Sequence, residues 1–253
     1  MDDDGFYITL PCNASMSVFP DNQISSYRIH LSKALTLKGR WQVGLIEFQY
    51  PRTWETLNED EGVILLNKEK MGVDIIALTP GYYPDIQTLI DELTRLLMPH
   101  KVYCGYDFIR HKVYMDAEIR GNLKFKPKLS RILGFPVSSD TQMGIINLQS
   151  SRDYAPHPVD INSGFYTMYV YTDIIQHQVV GDHFVPLLRC VDITGDTQEV
   201  VTVAYEKPHY VPVSQDYITD IAIEVKTDQN IRVPFKYGKV IAKLHFRPVR
   251  HRV

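Results

Sequence analysis

The chain has 253 residues, of which 44% are hydrophobic and 23% charged, and its formal net charge is −3. These values are ordinary for a globular protein long enough to bury a core, and they give no overall attraction to nucleic acid or a membrane surface. The sequence has no run of about 18 apolar residues, which argues against a membrane span. Its acidic start, MDDDGFYITL, lacks the layout of a signal peptide, so we expect an intracellular protein or a component of an assembly.

The first zone, to about residue 67, predicts short strands separated by Pro, Gly, Asn and Asp: FYITL, SYRIHL, RWQVGLIEF and GVILLN. In the third run Trp41, Val43 and Leu45 alternate towards one face, and Ile46, Phe48 and Tyr50 towards the other. Because both sets are apolar, the run predicts a central strand covered on both faces and ending at Pro51. Trp41 would anchor the core, whereas Trp54 would lie in an exposed loop that packs either on the insert or on a neighbouring molecule.

The middle zone, about 71–136, changes to a mixed pattern. PDIQTLIDELTRLLMP spaces its apolar residues for one face of a helix, with Pro84 at a first helical position and Pro99 as a stop. KVYCGYDF and HKVYMDAEI then predict a hairpin. KPKLSRILGF predicts a short helix from Pro127, capped by Gly134. The zone therefore predicts a small α+β unit.

The last zone, about 160–253, returns to strand patterns: FYTMYVYTDII, VPLLRCVDI, EVVTVAYE, ITDIAIEVKT and KVIAKLHFR. In the last of these, Lys243 and His245 alternate with the apolar positions, and Lys239 and Lys243 are interpreted as coating the solvent face of the strand. Strands that precede and follow an insert must return to pair with each other, which favours a Greek-key sandwich over a meander. We therefore predict a mainly β fold, one jelly-roll domain over 1–253 with an α+β subdomain inserted at 71–136.

Sequence motifs give no support to an enzyme. GxSxG, GxxxxGK[ST], GxGxxG and HExxH are all absent from the sequence. His177, Asp182 and His183 cluster in IIQHQVVGDHF, but the metal-binding jelly rolls of cupin type need an HxH pair that the chain lacks. Three separated cysteines without a CxxC pair indicate neither zinc nor a disulfide framework. We expect no catalytic, metal-binding or cofactor-binding residues, and we interpret the histidine cluster as a polar loop.

Two surface features instead point to interactions. Sixteen tyrosines are many for this length, and tyrosine is enriched at protein interfaces, although cross-strand packing explains it equally well. The candidate interface residues are Trp54, Tyr82, Tyr83, Tyr166, Tyr169 and Tyr171.

The C-terminal region carries no acidic residue after Asp228. Its end, RPVRHRV, contains Arg247, Arg250 and Arg252, which could face packaged DNA or an acidic neighbour. Equally, basic residues in this region could simply coat the solvent face of the last strand.

Several blocks together resemble one protein family: GRWQVGLIEFQYPRTWETLNE, GYYPDIQTLIDEL, KLSRILGF, FYTMYVYTDIIQHQVVGDHFVPLLRCV, HYVPVSQDYITDIAIEV and VPFKYGKVIAKLHFR. In this order they are similar to the minor capsid (penton) protein of Polinton, or Maverick, virus-like transposons and of adintoviruses. The resemblance implies a vertical single jelly roll, five copies of which form the fivefold vertex of an icosahedral particle. It also implies contact with a double jelly-roll major capsid protein and a place in the virion, assembled in the nucleus or cytoplasm of the host cell.

Other functions remain open at the level of sequence. A cellular jelly-roll interaction module without a capsid role would be a monomer or dimer with one exposed apolar groove. A cupin-like or lectin-like binding protein would need a convergent polar pocket. The oligomeric mass separates the first of these from a capsid protein.

Overall fold

The computed structural model describes residues 5–67, 72–138, 143–149 and 152–249. Within these ranges the chain forms eighteen strands, all paired antiparallel where they form sheets, and two short α-helices. The mainly β class predicted from the sequence is confirmed. The chain divides into two compact units, the first built from residues 1–54 and 165–253 and the second from 55–164. The range predicted for the insert, 71–136, lies inside this second unit, which is wider on both sides.

The chain begins with three strands of the first unit: β1 Phe6–Pro11, β2 Ser26–Thr36 and β3 Trp41–Pro51. The second unit follows, with its elements in this order: β4 Gly62–Asn67, β5 Gly72–Ala77, α1 Ile86–Leu97, β6 Val102–Asp107, β7 Lys112–Ala117, β8 Gly121–Phe125, α2 Pro127–Leu133, β9 Gly144–Leu148 and β10 Asp153–Tyr154. The chain then returns to the first unit: β11 Thr167–Thr172, β12 Gln178–Val180, β13 His183–Val185, β14 Leu187–Asp192, β15 Val200–Ala204, β16 Tyr210–Pro212, β17 Tyr217–Lys226 and β18 Ile241–Pro248.

The first unit has the strand order of a jelly roll. One sheet runs β1-β18-β3-β15, with β16 also pairing β3, and the other runs β14-β11-β17-β2. Early and late strands therefore alternate in the first sheet, the early strand β2 pairs with the late strand β17 in the second, and most successive strands cross from one sheet to the other, as in interleaved Greek keys. The inner faces enclose a single core that includes Phe48, Tyr50, Met168, Ile223 and Phe246. The predicted jelly-roll class is confirmed.

The two apolar sets of residues predicted for β3 do not lie on opposite faces of the strand along its whole length. Its pairing with β18 shifts register, because Leu244 opposes Leu45 while Lys243 opposes Glu47. Ile46 is thus an extra residue, a β-bulge that reverses the alternation beyond it. Leu45 and Phe48 consequently both reach the core. The prediction that Phe48 faces away from Leu45 is wrong for this reason.

The second unit has its own core and two small sheets. One sheet runs β5-β4-β8-β9 and the other β10-β7-β6, the latter containing the predicted hairpin. Helix α1 buries Leu89, Ile90, Leu93 and Leu97, which confirms the predicted apolar stripe. Asp85 is its N-cap, so the helix begins two residues after Pro84 rather than at it.

The second helix also follows its local signals. Pro127 is the first residue of α2, and Gly134 forms its C-cap at φ +82°, as predicted. A β-carbon at Gly134 would overlap the carbonyl oxygen of His157, so the position requires glycine for two reasons. Among the described residues, no helix is long and apolar enough to cross a membrane.

Candidate functional site

Trp54 lies just beyond β3, outside any strand, as the sequence predicts. Its surroundings differ from the exposed loop that we expected. The ring meets Phe165 edge-on at a centroid distance of 5.2 Å and Phe235 at 5.9 Å, and the side chain is only half exposed. The preceding Thr53 donates its hydroxyl proton to the carbonyl oxygen of Tyr237 at 2.8 Å, which ties down the chain here. Trp54 therefore closes part of the jelly-roll core, and the prediction of an exposed side chain is wrong.

The adjacent tyrosines Tyr82 and Tyr83 have different environments. Tyr83 is buried, and its hydroxyl donates to the carbonyl oxygen of Thr79 at 2.7 Å. Burial raises the pKa of Tyr83. Tyr82 is half-buried and lines a groove of about 450 Å³ between the segment before α1 and the helix itself. We call this the Tyr82 groove; its walls are Thr79, Pro80, Gly81, Tyr82, Tyr83, Thr88, Asp91, Glu92 and Arg95.

One wall of the Tyr82 groove is held by a fixed ion pair. Arg95 donates to both carboxylate oxygens of Glu92, at 2.8 and 2.9 Å, and the hydroxyl of Thr79 adds a further bond at 2.7 Å. The hydrogen bond from Arg95 is the main reason that the pKa of Glu92 lies below its usual range. Asp91, one residue earlier, is exposed and accepts a hydrogen bond from the side chain of Gln87. The groove thus presents tyrosine and proline surface beside an acidic helix face.

Tyr166, Tyr169 and Tyr171 lie along the start and outer face of β11. Tyr166 is exposed, while Tyr169 and Tyr171 alternate with the buried Met168 and Val170. The ammonium of Lys226 lies 5.5 Å from the ring centre of Tyr171. Burial raises the pKa of Tyr171. These tyrosines therefore combine cross-strand packing with remaining surface, and their role at an interface stays a prediction.

Tyr171 also lines a cleft of about 660 Å³ in the first unit. Four of the charged residues that line this cleft, Arg28, Asp173, Glu224 and Arg232, form ion pairs within the protein. Arg28 forms an ion pair with Asp173 at 3.0 Å, and Glu224 forms ion pairs with Lys226 at 2.9 Å and with Arg232 at 3.3 Å. The cleft accordingly presents polar groups that already have partners, unlike the convergent pocket expected of a lectin-like site.

The histidine cluster is a hairpin rather than the polar loop that we expected. Strands β12 and β13 pair across a turn at Gly181 and Asp182, with Val179 opposite Phe184. Both of these apolar side chains are exposed. His183 and Asp182 approach to 3.2 Å, and both lie largely in solvent. Among the described residues no group of three His, Cys, Asp or Glu side chains is placed to hold a metal ion.

The basic C-terminal region is partly built into the sheet. Arg247 belongs to β18, and its guanidinium carbon lies 3.4 Å from the ring centre of Tyr210. Arg247 is therefore a strand residue rather than part of a free tail. Arg250 and Arg252 lie outside the described residues.

His245 is buried, although it alternates with the apolar residues of β18 in the sequence. The side chain is 3% exposed, because Tyr7 stacks on it at 4.6 Å and the hydroxyl of Tyr210 shares a hydrogen bond with its Nδ1 at 2.7 Å. Lys243, two residues earlier, behaves more as predicted. It is half-buried and lies 3.9 Å from the carboxylate of Glu47.

The structure presents an apolar surface that sequence reasoning missed at the turn between β6 and β7. Phe108 is 68% exposed and Ile109 is 93% exposed. The carboxylate of Asp107 accepts hydrogen bonds from the backbone N–H groups of Ile109 and Arg110, both at 3.0 Å. The hydrogen bond from the backbone N–H of Arg110 is the main reason that the pKa of Asp107 lies below its usual range. The signal was present in the sequence DFIRHK, where two large apolar residues occupy a turn.

A second missed surface is the outer face of the β5-β4-β8-β9 sheet. Val73 and Ile75 on the edge strand β5 are exposed, the latter by 81%, and they oppose Leu66 and Ile64 on β4. Ile145 on β9 adds further exposed apolar area on the same sheet. Exposed apolar edge strands are usually covered by a partner or avoided. We call this surface the outer insert face.

Comparison with known proteins finds matches among solved structures only. No protein-family model and no curated protein sequence matches the chain. Among solved structures, the chain is similar to the crystal structure of the penton protein of mavirus, with a TM-score of 0.54 and 11% identity. The match covers 97% of this chain and 100% of the mavirus chain. At this identity the similarity concerns the fold, so the protein has a penton-like, mainly β fold.

Proposed function

We propose that the protein is a minor capsid (penton) protein, five copies of which form the fivefold vertex of an icosahedral virus-like particle. The observation that carries the proposal is the extent of the structural similarity. A jelly roll by itself occurs in many viral and cellular proteins. A match over 97% of the chain must also include much of the 110-residue segment 55–164 inserted between β3 and β11. Sharing both parts with a penton protein supports a capsid role more strongly than the jelly roll alone.

The finer assignment rests on the sequence blocks. These resemble the penton proteins of Polinton (Maverick) elements and adintoviruses, and we propose the same source for this chain. The protein would then be found in the virion after assembly in the host nucleus or cytoplasm. The enclosed cores and internally paired cleft charges fit a structural rather than an enzymatic role.

A closed ring of five requires two different patches that fit each other, one on each side of the subunit. Of the tyrosines named from the sequence, Tyr82, Tyr166, Tyr169 and Tyr171 keep exposed area that a neighbour could cover. Trp54 and Tyr83 are largely occupied within their own units, so we propose a supporting role for them beneath such surfaces. A stable contact of this kind buries about 1,000 Å² or more.

Two further partners follow from the proposal. The outer insert face is apolar along β4 and β5 and carries Asn122, Lys124 and Asn147 towards β9, which suits contact with a different capsid protein, the major capsid protein of the double jelly-roll type. Arg250 and Arg252 are proposed to face packaged DNA. Replacing both by glutamate should lower DNA retention in assembled particles and leave particle number unchanged.

Mass measurement tests the proposal directly. Light scattering on the purified chain across rising concentrations should reveal a species five times the 29.2 kDa chain mass. A monomer or dimer at every concentration, alone and with the major capsid protein, would instead favour a cellular interaction module. Wild-type protein held at low concentration serves as the dissociated reference.

A further inference from the structure

The turn between β6 and β7, residues 107–112, is a rigid apolar projection. Asp107 fixes its backbone through two hydrogen bonds, and the ring of Tyr106 meets Phe108 edge-on at 4.8 Å. Arg110 lies over the ring of Tyr154 on β10 at 4.6 Å, which braces the hairpin from the side. Phe108 and Ile109 are therefore held outward in water by a preformed turn. Large apolar side chains in such a position lose little entropy on binding, which makes them effective anchors.

The Tyr82 groove is a concave surface elsewhere on the same unit. Its volume of about 450 Å³ falls in the range of sites that accept bulky apolar groups. Pro80 and Tyr82 supply apolar and aromatic surface. Glu92 is locked by Arg95 and Thr79, so this wall is also preformed. Neither surface needs rearrangement to receive a rigid partner.

The two surfaces carry opposite charge. The 107–112 turn has two basic residues, Arg110 and Lys112, against one acidic residue, Asp107. The Tyr82 groove has two acidic residues, Asp91 and Glu92, against one basic residue, Arg95. Complementary charge of this kind orients partners and favours the correct pairing over others. The β12–β13 hairpin also exposes apolar residues, but its turn carries Asp182, which would meet the acidic groove unfavourably.

We propose that the 107–112 turn of one copy inserts Phe108 and Ile109 into the Tyr82 groove of the next copy. The occupant of the groove is thus a second copy of this chain. The contact is heterologous, because it joins two different patches, and it can repeat around a closed ring. This inference rests on the proposed pentamer and assigns one of its contacts.

The first test is an Ile109→Asp variant measured for ring mass by light scattering over a dilution series. Ile109 is 93% exposed, so folding should be unaffected, which far-UV circular dichroism and a melting curve will check. We expect the concentration for half-dissociation to rise roughly tenfold or more. Val179→Asp, at an exposed apolar position on the β12–β13 hairpin, is the matched control and should leave the rings intact.

The second test locates the contact by disulfide cross-linking. Ile109→Cys and Pro80→Cys are made separately in a Cys190→Ser background, because Cys190 is the exposed cysteine among the three. An oxidised equimolar mixture should give a cross-linked pair of unlike variants, while each variant alone should give none. Cross-linking of Ile109→Cys to itself would overturn the heterologous arrangement.

The outcomes separate this inference from the proposed function. Intact pentamers with Ile109→Asp and no mixed cross-link would overturn the turn-and-groove contact and leave the penton role standing. A wild-type chain that never exceeds a monomer, alone or with the major capsid protein, would overturn both. Loss of rings in Ile109→Asp, their persistence in Val179→Asp and a mixed cross-link would support the proposed contact.

Discussion

Replacing Trp54 with alanine removes the side chain that fills the space between Phe165 and Phe235 in the first unit. Truncating a fully buried tryptophan costs about 3–5 kcal/mol. Trp54 is half-buried rather than fully buried, so the loss of its buried surface costs less than this, ~2 kcal/mol. Two edge-to-face contacts are lost as well, each worth about 0.5–1.5 kcal/mol. We therefore expect the free energy of unfolding to fall by about 3–5 kcal/mol.

Urea unfolding followed by far-UV circular dichroism measures this loss without using tryptophan fluorescence, which the substitution itself changes. Trp54→Phe keeps an aromatic ring at the position and should lose only about 1 kcal/mol. Trp41→Ala is the matched comparison, because Trp41 is also half-buried and has one aromatic neighbour, Phe6, at 5.6 Å. A loss below about 0.5 kcal/mol in Trp54→Ala would refute the packing that we describe. Trp54 would then have to act at an interface, as the sequence alone suggested.

Three further substitutions test individual contacts. The backbone N–H of Thr194 donates a hydrogen bond to the Tyr50 hydroxyl at 2.9 Å, and Tyr50→Phe removes this acceptor. We expect the free energy of unfolding in urea to fall by about 1–3 kcal/mol. An unchanged urea midpoint would contradict this hydrogen bond. Gly134→Ala should lower the melting temperature more than Gly164→Ala, because both glycines have a positive φ but only a β-carbon at Gly134 would clash with a neighbouring atom. Equal decreases in melting temperature would mean that backbone strain alone, without the clash, causes the loss. Asp85→Ala should cost about 1 kcal/mol by removing the N-cap of α1. Hydrogen bonds lower the pKa of Asp85 in the folded state, so its stabilisation is present above the unfolded pKa of about 4 and is lost as pH falls through the folded value. The stability of wild type relative to Asp85→Asn should therefore decrease between pH 7 and about pH 3, and a constant difference would contradict this linkage.

Local patterns in the sequence were enough to predict both helices, the β6–β7 hairpin and most strands. The helix ends depend on local residues: Asp85 caps α1, and Pro127 and Gly134 begin and end α2. Because these interactions involve only residues nearby in the sequence, they can be inferred without knowledge of the fold. The jelly-roll class followed from the position of strands before and after the insert. Each of these inferences depends on short-range geometry or on chain order.

Features that depend on distant residues could not be predicted in this way. The bulge at Ile46 exists because of how β18 pairs with β3, nearly 200 residues later in the chain. His245 is buried because Tyr7 and Tyr210 cover it. Trp54 is half-buried because Phe165 and Phe235 meet it, and no local signal near Trp54 indicates these partners.

The candidate surfaces were predicted only in part. Tyrosine density drew attention to residues such as Tyr169, which the structure places on the outer face of β11, but it could not separate the buried Tyr83 from the half-buried Tyr82. The apolar turn at Phe108 and Ile109 was overlooked because its residues resemble the ends of two strands. Exposure is set by what the rest of the unit covers, and a periodic pattern does not contain that information.

Electron microscopy of the purified full chain tests the central claim most directly. We expect ring-shaped particles whose class averages have fivefold symmetry. Particles of the size of single chains at concentrations where the rings should form, or rings of a different symmetry, would contradict the assignment as a penton.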